Sequence, residues 1–430
     1  MKLFSFLLSI IALIGTIRIF DLSLFDEIAF LLLFVLLVLY KSSNKKTFSI
    51  PNKLKVNKYY SKASFSYQIL FIYLIASLIY GLHVDLYFGK IRWLIILTAL
   101  LFYDHFVGYY LSNKLNYSSN SIFLRRFYNS IYLFCLFYLV YGLLAQLLFD
   151  IPTGYLQAAS EGKGWFAIWG TTAYVAIIFL PLLLFNRALF TAGKITRLRF
   201  LSAYFICFSV MLIYDTRVLA VILSLFLLVE FLKMKFSNKI FIIILLTPLA
   251  TIFLFYADNF VKDLLSSGGF LFTFINESSA EENLRDFDRV AHYIATYQVL
   301  SSSTIYALFG SGFLNAGTVI VDAYFNVYYQ YGITTFVRTN LAGATQVGTF
   351  GLSAFLIENG LVGLMLLFYH IFNLIKAAIK TNLIVSSLFV LIIYPLLFLL
   401  FFTIYLNDNM FFYLLLSPAT IIYPLIKDKK

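Results

Sequence analysis

The chain has 430 residues, of which 62% are hydrophobic and 12% charged, with a formal net charge of +12. A water-soluble domain carries roughly a quarter charged residues, so a soluble globular enzyme is excluded. The positive balance follows the connections between apolar runs, as membrane orientation requires, and no nucleic-acid partner is expected.

Apolar runs long enough to cross a hydrocarbon core recur along the chain. Twelve spans are expected, at about 3–20, 24–40, 65–88, 93–111, 127–149, 166–186, 200–214, 217–232, 240–257, 351–375, 384–405 and 410–426. Such runs must be helical, because lipid offers no partner to an open backbone N–H or C=O. The fold expected is an all-α polytopic transmembrane bundle, one integral membrane domain over 1–430, with a large late extracytoplasmic loop over 258–350 that contains short helices. The first run has one lysine before it, no small-residue cleavage site and a second run close behind, so it reads as a retained span. Cys135 and Cys207 both fall inside runs and support neither a disulfide framework nor a zinc site.

Lys41, Lys45, Lys46, Lys53, Lys55, Lys58 and Lys62 crowd the connection after the second run. The positive-inside rule places that connection in the cytoplasm. Alternation then puts Lys114, Arg125 and Arg126, the 187–199 group, the 233–239 group, Lys376 and Lys380, and both termini on the same side. His83 and His105, with Asp104, fall in the third and fourth runs. They are expected to be buried in packed, hydrogen-bonded roles rather than to form a proton relay.

Two charged places stand out. The first is Arg217 in "LIYDTRVLAVILSL", at a corner between two short runs. An ionisable group at membrane depth normally faces a cavity or a partner; the plainer alternative is a local pair with Asp215 or a snorkelling arginine. The second is "INESSAEENLRDFDRVAHYIATYQVL" in the long loop. Ser278 and Ser279, each followed three residues later by Glu281 or Glu282, open a helix with overlapping capping boxes, and Ser301–Ser303 close it. At helical spacing Arg285, Arg289, His292 and Thr296 share one face. Two guanidiniums one turn apart form a fork for a phosphate or pyrophosphate; alternatively the neighbouring acids pair with them along a solvated helix.

Asp322, Glu358 and His292 are candidates for a general base, each with a plainer reading as helix cap, turn or solvated face. Tyr324, Tyr328, Tyr329 and Tyr331 in "VDAYFNVYYQYG" would suit a sugar-stacking groove, although interfacial aromatic belts give the same composition. Arg338, the remaining arginine of the loop, joins Arg285, His292, Tyr324 and Tyr328 as substrate-binding.

"YDTRVLAVILSLFLLVEFLK", "DRVAHYIATYQVLSSSTIYALFGSGF" with Gly310 and Gly312, and "FGLSAFLIENGLVGLMLLFYHIF" with Glu358-Asn359-Gly360 and Gly363 resemble, in order, the motifs of the O-antigen ligase/polymerase superfamily. The resemblance covers the second half of the chain. It implies metal-independent and cofactor-free glycosyl transfer at the outer face of the bacterial plasma membrane, from an undecaprenyl-diphosphate-linked oligosaccharide. Arg217 and Arg289 match the two arginines that would grip the donor's pyrophosphate, and with Asp322 and Glu358 they form the expected catalytic set. Ligases of the family carry a histidine near the position of Thr349; here no His occurs between His292 and His370. That departure favours a repeat-unit polymerase over a ligase and leaves the base unnamed. A flippase and a chain-length regulator are the partner proteins the resemblance implies, besides membrane lipids.

Independently of the resemblance, no P-loop, no Gly-rich dinucleotide turn and no convincing Asp-x-Asp metal pair on the cytoplasmic side is found, so a nucleotide-sugar or ATP enzyme is unsupported. The rival class is a lipid-linked oligosaccharide flippase. A flippase is expected to show two comparable halves and short loops, whereas here the halves differ and one outer loop is long.

Overall fold

The structure is a computed structural model. It describes residues 25–43, 58–84, 88–114, 120–149, 193–213, 284–330, 351–380 and 413–421 apart from 415, with isolated positions at 3, 6, 7, 11, 179, 182, 183, 185–187, 189, 190 and 223. The described residues are all-helical, without a strand.

Five helices open the described chain: α1 (Phe25–Ser43), α2 (Lys58–Gly81), α3 (Phe88–Lys114), α4 (Asn120–Phe149) and α5 (Arg197–Ile213). Four more follow, α6 (Leu284–Ser302), α7 (Thr304–Phe309), α8 (Ala316–Val319) and α9 (Val321–Gln330), and then α10 (Gly351–Lys380) and α11 (Pro418–Ile421). Three stretches are long and apolar enough to cross a membrane: Tyr60–Gly81, Gly89–Tyr110 and Gly351–Ala377. Ile28–Ser43 and Tyr128–Leu144 are shorter apolar helices. The expected spans at 240–257 and 384–405, most of 3–20, 166–186 and 217–232, and about half of 410–426 lie outside the described residues.

The helix bounds differ from the apolar runs for local reasons. α2 begins at Lys58, seven residues before the run expected at 65, and so takes Lys58 and Lys62 into its first turns. Lys62 is exposed, and a lysine whose stem lies along a helix with its charge in water leaves the backbone free to stay helical. It stops at Gly81 rather than 88, where Leu82 N–H and Val84 N–H close a turn on the Ile79 and Gly81 carbonyls. His83 therefore lies in that turn, exposed, with its ring against Tyr80. This corrects the expectation that His83 is buried.

α2 and α10 pack antiparallel, as three contacts along their length record. Ser77 Oγ donates to Glu358 O (3.1 Å), Tyr73 OH to Asn359 O (2.6 Å), and Ser66 Oγ meets His370 Nδ1 (2.9 Å). α3 joins α2 through Tyr67 OH to Leu100 O. α1 joins α3 through Phe34 edge-on to Phe106 and Lys41 Nζ at 3.3 Å from His105 Nε2. The antiparallel order gathers the lysine-bearing ends of α1, α2, α3 and α10 together, with Gly81, Lys90 and Gly351 at the opposite end.

Asp104 is buried as expected. Its carboxylate accepts from Ser64 Oγ, Ser417 Oγ and Ala419 N, tying α2 and α3 to the turn that opens α11. His370 reaches the same turn through Nε2 and Leu416 O (2.9 Å). These groups knit helices together, the packed role expected of Asp104.

Besides this main core, a second cluster forms between α6, α8, α9 and the first half of α10, built from Ala291, Ala295, Val299, Ile320, Val327, Ala354 and Ile357 among others. It lies at the Gly81 end of the bundle.

Candidate functional site

α10 is broken. At Gly360 the backbone turns to φ 60°, ψ −168°, a conformation open to glycine and costly for residues with a Cβ. A broken helix leaves orphan carbonyls, and here three of them meet donors. Ile357 O accepts from Ser311 N (2.7 Å) and Ser311 Oγ (3.0 Å). Glu358 O accepts from Gly312 N (3.0 Å) and Ser77 Oγ, and Asn359 O from Tyr73 OH. The Gly310-Ser311-Gly312 turn is thus the cap of a broken apolar helix.

The glycines are required by contact as well as by conformation. A Cβ on Gly310 would lie 2.3 Å from the Glu358 carbonyl, one on Gly360 2.4 Å from Leu308 O, and one on Gly312 2.2 Å from Gly81 Cα. Gly310, Gly312 and Leu314 all have positive φ, at 77°, 100° and 69°. Leu314 has no glycine's freedom there, so the turn stores strain of about 1–2 kcal/mol. What holds it is Phe313, fully buried between Trp93 and Tyr413, edge-on to both.

Two ionisable side chains flank this turn. Lys90, with no exposed surface, donates to Gly81 O (3.0 Å) and Asn315 Oδ1 (2.6 Å). Asn315 Nδ2 in turn donates to Gly81 O and Ser311 O. Glu358, 1% exposed, accepts at Oε1 from Ala316 N (3.4 Å). Among the described residues, the amide Oδ1 and Nδ2 of the neighbouring buried Asn359 find no hydrogen-bond partner. Unmet polar capacity of this kind in an interior is uncommon. A buried cation, a buried carboxylate and an unmet amide therefore converge on the helix break.

α6 stands over this end of the bundle. Its face bearing His292 and Thr296 is buried, while Tyr293 and Tyr297 are exposed. Thr296 Oγ1 bonds Ser353 Oγ at the start of α10 and the His292 carbonyl. The His292 ring lies 4.4 Å from that of Tyr324, and Tyr324 OH meets Tyr328 OH at 3.0 Å. Tyr324 and Tyr328 are 2% and 0% exposed, so these two rings pack α9 under α6 instead of presenting an open stacking surface; Tyr329 is the exposed ring of the helix. The helix stops where the three serines stand: α6 ends at Ser302, and Ser303 Oγ caps α7 by accepting from Ile305 N.

Of the remaining expected residues, Arg285 and Arg289 lie in α6, seven and three residues before His292 and on the same helical face; their side chains are outside the described residues. Asp322 is exposed in the first turn of α9, where its charge suits the helix dipole. Arg217, Asp215, Arg338, Tyr331 and the capping residues Ser278 and Ser279 lie outside the described residues. Among the described residues no group of three or more His, Cys, Asp or Glu side chains is gathered as a metal ligand set would be.

Lys90 and Asn315 were not legible as site residues. The signal was present: "YFGKIRW" puts a lysine in the short connection between the runs at 65–88 and 93–111, on the side away from the lysine-rich connection at 41–62. Comparison with protein-family models and with curated proteins returns no match, so the site stands on its own geometry.

Proposed function

We propose that the chain is a membrane glycosyltransferase that polymerises undecaprenyl-diphosphate-linked oligosaccharide repeat units at the outer face of a bacterial plasma membrane. The observation that carries this reading is the docking of α6 on the broken end of α10 through Thr296–Ser353 and His292–Tyr324. That docking fixes the helical face of Arg285 and Arg289 beside the end of a membrane-spanning bundle. A lipid diphosphate with its tail in the bilayer offers its phosphates at that level. Two guanidiniums one turn apart fit such a group.

In the reaction an acceptor hydroxyl forms a bond to the anomeric carbon while the bond from that carbon to the diphosphate oxygen breaks. The proton passes to a base and the electron pair leaves with the lipid diphosphate. Arginines stabilise the charge that develops on the leaving group. Glu358 is the carboxylate nearest the helix break, and Arg217 and Arg338 complete the cationic set.

The lipid-linked species that accumulate when the gene is deleted test the reading. A polymerase leaves single repeat units on lipid at the outer leaflet. Full-length chains retained on lipid would indicate a ligase, and single units confined to the inner leaflet a flippase.

A further inference from the structure

α7 lies in the stretch read as an aqueous outer loop, yet its composition and surroundings disagree with water. From Val290 to Val321 the chain has no Asp, Glu, Lys or Arg. α7 buries none of its residues, and Ile305, Leu308 and Phe309 are 57%, 40% and 48% exposed.

Its neighbours say what covers that face. Phe309 O accepts from Tyr73 OH, and the Leu308 carbonyl presses on Gly360. Tyr73 adjoins Ile72, in the exposed stripe Phe65, Ile72, Ile79 of α2; Gly360 adjoins Leu361, at the head of the exposed stripe Leu361, Met365, Phe368, Phe372 of α10. Both stripes belong to stretches long and apolar enough to cross a membrane, and α7 lies against the helices that bear them.

Depth agrees. From Lys376, at the basic end of α10, to Gly360 the helix rises roughly 24 Å at 1.5 Å per residue. A hydrocarbon core is about 30 Å thick, so the break and α7 fall below the far surface. Irregular backbone is tolerated at that depth only where protein surrounds it, and Gly310 to Phe313 are buried with N–H groups bonded to Tyr306, Ile357, Glu358 and Ser77 carbonyls.

We propose that α7 is a membrane-embedded helix whose Ile305, Leu308 and Phe309 face is covered by the acyl chains of the bilayer.

The test uses the full-length protein in phosphatidylcholine–phosphatidylglycerol vesicles, spin-labelled in turn at Phe309→Cys, Ile305→Cys, Ile79→Cys and Ser301→Cys. Cys135 and Cys207 are buried and stay unlabelled. Collision rates with molecular oxygen and with a water-soluble nickel chelate are compared. Labels at 309 and 305 should favour oxygen over chelate as the Ile79 label does, with the ratio inverted at 301. Chelate preference at 309 and 305 would show a water-facing helix and overturn the proposal. Protection from both probes would show a protein cover, such as a second copy of the chain, and overturn it equally. If one of the two α7 variants fails to insert, the other carries the measurement.

Discussion

Gly81 and Gly312 meet backbone to backbone: a Cβ on Gly312 would stand 2.2 Å from the Gly81 Cα. One glycine ends a helix long and apolar enough to cross a membrane, and the other belongs to a turn more than two hundred residues later. Their contact lets the turn reach the broken end of α10 while Lys90 and Asn315 share the Gly81 carbonyl. The site is therefore assembled on α2, α3 and α10.

Gly312→Ala should cost more than its conformation alone. Left-handed backbone costs an alanine about 1–2 kcal/mol, and that term is common to Gly193, whose φ is 66° but whose Cβ would meet nothing within 4 Å. Thermal unfolding in detergent should show Gly312→Ala clearly less stable than Gly193→Ala. Equal losses would mean the two backbones are not in contact.

Phe313→Ala should destabilise the protein by roughly 3–5 kcal/mol, the usual cost of emptying a packed phenylalanine site. Phe313→Leu should cost appreciably less, since it leaves a smaller void between Trp93 and Tyr413. Denaturant titration of the purified protein checks the order. A near-silent Phe313→Ala would show that the turn is held by its hydrogen bonds alone.

Asp104→Ala should loosen the turn that opens α11, because it leaves the Ser64, Ser417 and Ala419 donors without their acceptor. Each buried donor left unmet costs about 1–3 kcal/mol. Protease cleavage near 417 should become faster while the Phe313 region keeps its protection. Unchanged cleavage would mean that His370 and Leu416 suffice to hold the segment.

Some of this was readable from the sequence. The apolar runs marked α1 to α5 and α10, because lipid-facing helices need only length and hydropathy. Their ends were displaced, since Lys58 and Lys62 are helical despite their charge and Gly81 stops α2 for a tertiary reason. The serine stop of α6 was readable because capping is local. A turn at Glu358 was readable, but the tertiary cap that holds the break at Gly360 was not. Its partners Ser77, Tyr73 and Ser311 are distant in sequence. The burial of Tyr324 and Tyr328 was hidden likewise: a ring suits a sugar or a neighbouring helix equally until α6 is in place.

The arginines should act by geometry as well as charge. Arg289→Ala is expected to abolish chain extension at normal abundance and insertion, and Arg285→Ala to weaken it less. Arg217→Lys keeps the charge but loses the planar fork, and should lose most transfer with single lipid-linked units building up. Full-length polymer from Arg289→Ala and Arg285→Ala alike would leave α6 a lid without an anion site.

The most direct measurement is on the purified protein in vesicles supplied with a lipid-diphosphate-linked repeat unit and excess EDTA. Analysis of the lipid extract should show longer lipid-linked chains together with one free polyprenyl diphosphate for each bond formed. Elongation that requires added Mg²⁺ or Mn²⁺ would contradict the arginine mechanism. An unaltered repeat unit, whether left in place or carried across the bilayer, would contradict the polymerase itself.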